Sequence, residues 1–327
     1  MRREVGRGRG WWLRAVLIGA GAALGLTYVA SWATNGQSVP ADLHAYWVAD
    51  PVHPYLHPGA GAADAFQYTP AAALAAPILR LIPFAIAVVL WRIGQLGAIL
   101  VMAGPLALVV LLTYPVVSEL NLGNINLYIG LIAAVSFRWP AAWAFILLTK
   151  PTCGVALLWF VVRREWRPLR IILGLTAAVA AVSFVLTPGA WVEYAQYLLG
   201  NPAPGPQGFP VLWLRLPFAV LVALVTGLKG WRPGVVVAAW LALPVWWYVS
   251  PSVLVGVLAF VWPSILIERG QPKVDNPGAR RWPQWRLART DPPDWMLDGV
   301  EKLVTSGIRG PVPRFGSSPC THSTART

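Results

Sequence analysis

Long stretches without charge dominate this chain and restrict what it can fold into. Residues 11–33, 84–103, 171–187 and 211–228 are nearly continuous runs of aliphatic and aromatic side chains, close to the roughly 20 residues that span a bilayer's hydrocarbon core. Inside lipid every backbone polar group must be satisfied internally, which leaves helices or closed barrels. Barrel strands alternate in hydropathy every residue, whereas these runs are unbroken and rich in Ala, Leu and Val, so the sequence predicts helices. With 57% hydrophobic and only 12% charged residues in 327, and a mean hydropathy of +0.57, the class is an all-α polytopic membrane protein. Nineteen tryptophans suit the interface, where an indole is half apolar and half polar.

The net charge of +13 does not point to nucleic acid. The cations sit at the ends of apolar runs and in the C-terminal tail, where they act as topology signals. Five arginines precede Val16, placing the N-terminus in the cytoplasm and the loop 35–83 outside. Ser31-Trp32-Ala33 also fits a signal-peptide cleavage site, but the run before it is long for one, and an uncleaved anchor is the expectation. From there the sequence predicts about eight spans plus a re-entrant pair within residues 1–267, in a multi-pass plasma-membrane topology. Residues 268–327, polar, Pro-rich and basic, read as a disordered cytoplasmic tail with one amphipathic helix at 294–307. Cys153 and Cys320 are too few to staple a fold, and carry no redox or metal reading.

The loop 35–83 gathers Asp42, Asp50, Asp64, His44, His53 and His57 among aromatics. Titratable groups concentrated on one face of a membrane protein point to chemistry or recognition there. The three histidines lack an i,i+4 register, so no metal site is read. Residues 69–82, short and broken by Pro77, predict an interfacial helix with Arg80 reaching toward headgroups. Residues 84–103 return inward and 105–117 climb out, with Arg92 and Gln95 facing other helices or an interface. Residues 118–126, SELNLGNIN, form a second outward patch. Between Arg138 and Arg163 the two apolar arms around Lys150-Pro151 have about ten residues each, too short to span. A broken or re-entrant pair with its apex at Lys150-Pro151 follows. A third outer loop, 188–210, holds Glu193. Residues 211–228 carry Arg215 near the outer end, and 235–249 and 253–267 are a final pair of spans.

The order ADLHAYW, FQYTP, NLGNINLYIGL, LLTKPT and RREWRPL resembles glycosyltransferase family 87 over residues 10–265. That family has a D-x-x-x-Y element after the first helix, then aromatic-Y-x-P, G-Q-x-N, L-K-P and R-R-x-W-R elements. The resemblance implies a type C glycosyltransferase fold. It also implies transfer of a hexose, mannose by family habit, from a polyprenyl-phosphate donor to a lipid-linked or cell-envelope glycan on the outer face. Residue by residue, Asp42 is the general base, Tyr46 its D-x-x-x-Y partner, Tyr68 the aromatic-element tyrosine and Lys150 the L-K-P lysine. Asn124 stands where the family has glutamine, and Asn126 completes that element. Tyr46, Trp47, Tyr68, Asn124 and Asn126 are candidate substrate contacts, with Trp47 stacking on a sugar.

A leaving phosphate needs cationic stabilisation, for which Lys150, Arg215, Arg80 and His57 are candidates. No cofactor is read apart from the lipid-linked donor, and a divalent metal is left open. Membrane lipids are the other expected partners. A non-catalytic transporter or lipid-binding protein, or an inactive family member, remains an alternative, since broken helices around a midplane lysine also occur in transporters. No internal repeat supports a transporter.

Overall fold

The structure, a computed structural model, describes residues 15–27, 39–56, 64–200 and 211–261. Its elements are α1 (Ala15–Thr27), α2 (Ala41–Val48), α3 (Pro70–Ala73), α4 (Ala76–Leu79), α5 (Phe84–Ala103), α6 (Ala107–Leu111), α7 (Tyr114–Leu122), α8 (Asn126–Val135), α9 (Trp143–Thr149), α10 (Leu158–Val162), α11 (Trp166–Leu186), α12 (Pro188–Gly200), α13 (Leu212–Lys229), α14 (Pro233–Leu241) and α15 (Val255–Val261), joined by turns and short 3₁₀ segments. No strand occurs among the described residues. His57 and the tail from residue 268 lie outside them.

Helix α5 shows how the sequence selects this architecture. Val88, Arg92, Gln95, Ile99 and Met102 recur at helical spacing on a buried face. The opposite face, Ile86, Leu90 and Ile93, is about half exposed and equally apolar. A helix that is hydrophobic all round belongs in lipid or deep in a core, and this one borders both. The same holds for α11, whose Leu173, Val182, Phe184 and Val185 all face outward. Among the described residues, three helical runs are long and apolar enough to cross a membrane: Phe84–Leu111, Trp166–Leu186 and Leu212–Lys229. The first passes through Gly104, whose φ of 51° and ψ of −122° are not helical. Beyond it the chain doubles back, and residues 119–124 return to the level of Gln95, whose Nε2 donates to the carbonyls of Glu119 and Asn124.

The remaining apolar segments are assembled from shorter pieces. Helices α7 and α8 together are long enough for one span but meet at 108°. Expected as one span, residues 235–249 are helical only through Leu241. Pro244 disfavours helix at the residue before it, and the released carbonyls of Leu241 and Leu243 accept from Arg215 at 2.7 and 2.9 Å. The expected break at Lys150-Pro151 is present. Helix α9 stops at Thr149, Lys150 takes φ −128° and ψ 77°, and a 3₁₀ segment, Pro151–Leu157, leads into α10. Phe137 packs on Trp159 and Phe160, so the chain returns to its starting level and Lys150 is the apex of a hairpin.

Helices α8 and α15 cross at Gly130 and Gly256. A Cβ on Gly256 would overlap the Gly130 carbonyl oxygen, and one on Gly130 would stand 2.5 Å from that of Val253. Backbone on both sides leaves nothing flexible to yield. Gly256→Val should therefore destabilise the protein by about 1–3 kcal/mol, the usual range for overpacking. A lower thermal midpoint of the detergent-purified chain is the expected reading; an unchanged midpoint would mean the crossing is looser than described.

Candidate active site

Helix α2 begins at Ala41 after Pro40, a residue suited to a helix start because it has no N–H to leave unsatisfied. Asp42 thus sits in the first turn, where the helix dipole favours a negative charge. Tyr46, four residues on, shares its face, and this is the physical content of the D-x-x-x-Y spacing. Trp47 is turned about 140° from Asp42 at 3.6 residues per turn. It packs edge-on against Phe84 and donates to the Ile82 carbonyl at 3.4 Å, away from the residues lining the cleft. Trp47, expected to stack on a sugar, does not line this cleft.

Asp42 opens into a cleft of about 420 Å³ that Tyr46, Tyr68, Asn124 and Lys150 also line. Two helix breaks meet there. At the first, Gly123 ends α7 with φ 69°, and a Cβ on it would come within 2.7 Å of the Leu43 side chain. Only glycine provides both that backbone conformation and that approach. The approach brings Asn124 to Asp42. Asn124 Oδ1 accepts from the Ile125 N–H at 2.7 Å, which turns its Nδ2 outward to donate to Asp42 Oδ2 at 2.7 Å. An asparagine in place of the family's glutamine thus keeps a firm hold on the carboxylate. At the second break, Lys150 Nζ donates to Asn126 Oδ1 at 2.8 Å.

Burial pushes the Asp42 carboxyl up from its ordinary value of 3.8, opposed by the Asn124 hydrogen bond and the Lys150 charge. The wall opposite is fixed by its own hydrogen bonds. Tyr46 and Tyr68 join hydroxyls at 2.7 Å, and Tyr55 donates its hydroxyl to the Tyr68 carbonyl at 2.6 Å. Thr69 donates to the Leu148 carbonyl, one of those left open where α9 stops. Tyr55 in turn stacks on Tyr194 and Tyr197 of α12, with centroids 5.6 and 5.2 Å away. Nearby, His53 pairs with Glu193 at 2.6 Å, a contact that raises the imidazole's pKa above its ordinary value. His44 pairs instead with Asp64 at 2.5 Å. His44 and His53 are therefore parted, each on its own carboxylate.

Two of the expected phosphate ligands point elsewhere. Arg80 donates to the carbonyl of Ala49, the residue that ends α2, at 2.9 Å. A helix C-terminus has carbonyls without intrahelical partners and draws such a donor, and Arg80 does not line the cleft. Arg215 is 3% exposed; its guanidinium grips the carbonyls of residues 241 and 243 and lies 4.6 Å over the Trp246 ring. Rather than entering the cleft, it pins the irregular segment that supplies Pro244, Trp247 and Tyr248 to the cleft wall. The sequence places these residues inside the expected span 235–249.

Glu119 was missed as a site residue. It was read within an outward polar patch, yet it is fully buried. Its carboxylate accepts from Asn126 Nδ2 at 3.2 Å, the Leu127 N–H at 3.1 Å and Ser252 Oγ at 3.2 Å. The available signal was an acid between two apolar runs, which lipid tolerates only when it is paired.

Neither a curated protein nor a solved structure matches the chain. The sequence model of glycosyltransferase family 87 matches residues 66–274, from the Phe66-Gln67-Tyr68 wall through the bend, the Lys150 hairpin and the Arg215-pinned segment. The chain belongs to glycosyltransferase family 87 and is a membrane glycosyltransferase of all-α architecture.

Proposed function

We propose that the chain transfers a hexose, mannose in the first instance, from a polyprenyl-phosphate donor to a hydroxyl of a lipid-linked or cell-envelope glycan, with the cleft open to the outer face. The observation that carries this reading is that Asp42 and Lys150 line one cleft while bonded to different partners. They form no ion pair within 4.0 Å, so neither charge is cancelled by direct contact with the other.

Transfer needs a base on one side of the anomeric carbon and a cation on the other. The acceptor oxygen attacks that carbon, its proton passes to the Asp42 carboxylate, and the bond from carbon to phosphate oxygen breaks. Its electron pair leaves with the polyprenyl phosphate, whose added negative charge Lys150 stabilises. One carboxylate suffices for this inverting displacement, because the lipid phosphate leaves without prior protonation. Asn124 keeps the base oriented, and Tyr46 and Tyr68 offer aromatic surface and hydroxyls to the sugar. The phosphate role rests on Lys150, with Arg80 and Arg215 engaged on backbone carbonyls.

Asp42→Asn keeps the shape and the contact with Asn124 but removes the base. Transfer of labelled mannose from polyprenyl-phosphate mannose into membrane lipid extract should fall by at least about 100-fold, the low end of general-base contributions. Undiminished transfer would sink the mechanism.

A base must be ionised to work, so kcat/KM should rise with pH through the Asp42 pKa and then level off. Because burial raises that pKa, the rise should lie above 3.8. Removing the Lys150 charge, which lowers it, should move the rise to higher pH in Lys150→Met. A rise that stays in place in this variant would assign the titration to another group.

A further inference from the structure

One acidic side chain buried beside the cleft is left unused by the proposed mechanism. Glu119 lies wholly inside the protein on α7, one hydrogen-bonded step behind Lys150: its carboxylate accepts Asn126 Nδ2, and Asn126 Oδ1 accepts Lys150 Nζ. An amide side chain has one accepting end and one donating end. The Asn126 carbonyl can face the ammonium only while its NH₂ end has an acceptor behind it, and Glu119 supplies that acceptor. The orientation of Asn126 is thereby set from the interior.

The arrangement also spares Asp42. Lys150 is held by Asn126 and not by Asp42, and Asp42 as the base has to be available for the acceptor's proton. We infer that Glu119 is a positioning residue for donor binding, fixing through Asn126 the hold on Lys150 and so leaving Asp42 unpaired for proton transfer. This rests on the reading of Lys150 as the ligand of the donor phosphate.

The Glu119→Gln variant separates this role from a simple cap on α8. Its new amide retains an oxygen for the Leu127 N–H, but the amide NH₂ then faces the NH₂ of Asn126. One of the two amides must turn, and turning Asn126 presents a donor to the Lys150 ammonium. Combining Glu119→Gln with Asn126→Asp removes the conflict: the introduced NH₂ donates to the new carboxylate, which now touches Lys150 directly. The Ser252 hydroxyl, free to rotate, follows.

The test is equilibrium binding of a short-chain polyprenyl-phosphate mannose to the full-length, detergent-purified chain. Lys150→Met should weaken binding and Glu119→Gln should weaken it about tenfold, equivalent to roughly 1.4 kcal/mol. Adding Glu119→Gln to Lys150→Met should cost little more, since coupled residues are not additive. The Glu119→Gln, Asn126→Asp pair should bind within about threefold of the unmodified chain, a recovery that the restored match of donor and acceptor in a coupled pair predicts. A Glu119→Gln effect that is equally large without Lys150, or a paired variant that binds no better than Glu119→Gln alone or fails to fold, overturns the inference and leaves the reading of Lys150 standing. Binding indifferent to Lys150→Met overturns both.

Discussion

Polar groups inside an apolar protein must find each other, and at this site two helix breaks do so. Each break releases backbone and side-chain polar groups that lipid cannot satisfy. The bend between α7 and α8 contributes Asn124 and Asn126, and the hairpin between α9 and α10 contributes Lys150. Lys150 Nζ on Asn126 Oδ1 joins the two, Asn124 reaches out to Asp42, and Glu119 closes the network from within. The cleft depends on this contact more than on the hydrophobic core around it, since apolar packing has no direction and cannot orient an amide or an ammonium. The carboxylate and the cation come from elements far apart in sequence, and only this junction brings them together.

Local chemistry was legible where one residue type at one spacing had one physical meaning. Asp42 and Tyr46 share a helical face because they are four apart, and Pro151 marks a break because proline cannot continue a helix. Both features are where the sequence predicts them. The hairpin was legible too, from two arms too short to span and flanked by arginines. The family resemblance rested on the same motifs and is matched over residues 66–274.

Partner choice was not legible. Hydropathy marks SELNLGNIN as polar without saying whether water or protein satisfies it, and the structure buries Glu119, Asn124 and Asn126. Arg80 and Arg215 look alike in sequence as cations near the outer face. Arg80 instead closes the end of α2, and Arg215 grips carbonyls freed before Pro244. Those carbonyls become available only where a helix ends, and the hydropathy of residues 235–249 predicts a span running through that point. Trp47 differs from Tyr46 by one position, yet that step turns it off the cleft.

The two carboxylates nearest Lys150 illustrate how environment divides labour between like groups. Asp42 lines the open cleft with a single side-chain donor, Asn124, and has capacity left to accept a proton. Glu119 has three donors and does not line the cleft. A carboxyl group whose oxygens are taken up by fixed donors, out of reach of the acceptor, can orient its neighbours but cannot take a substrate proton. One that faces the cleft with a single donor has the opposite character. Exchanging the two environments would exchange the two roles, and neither role is written in the identity of aspartate or glutamate.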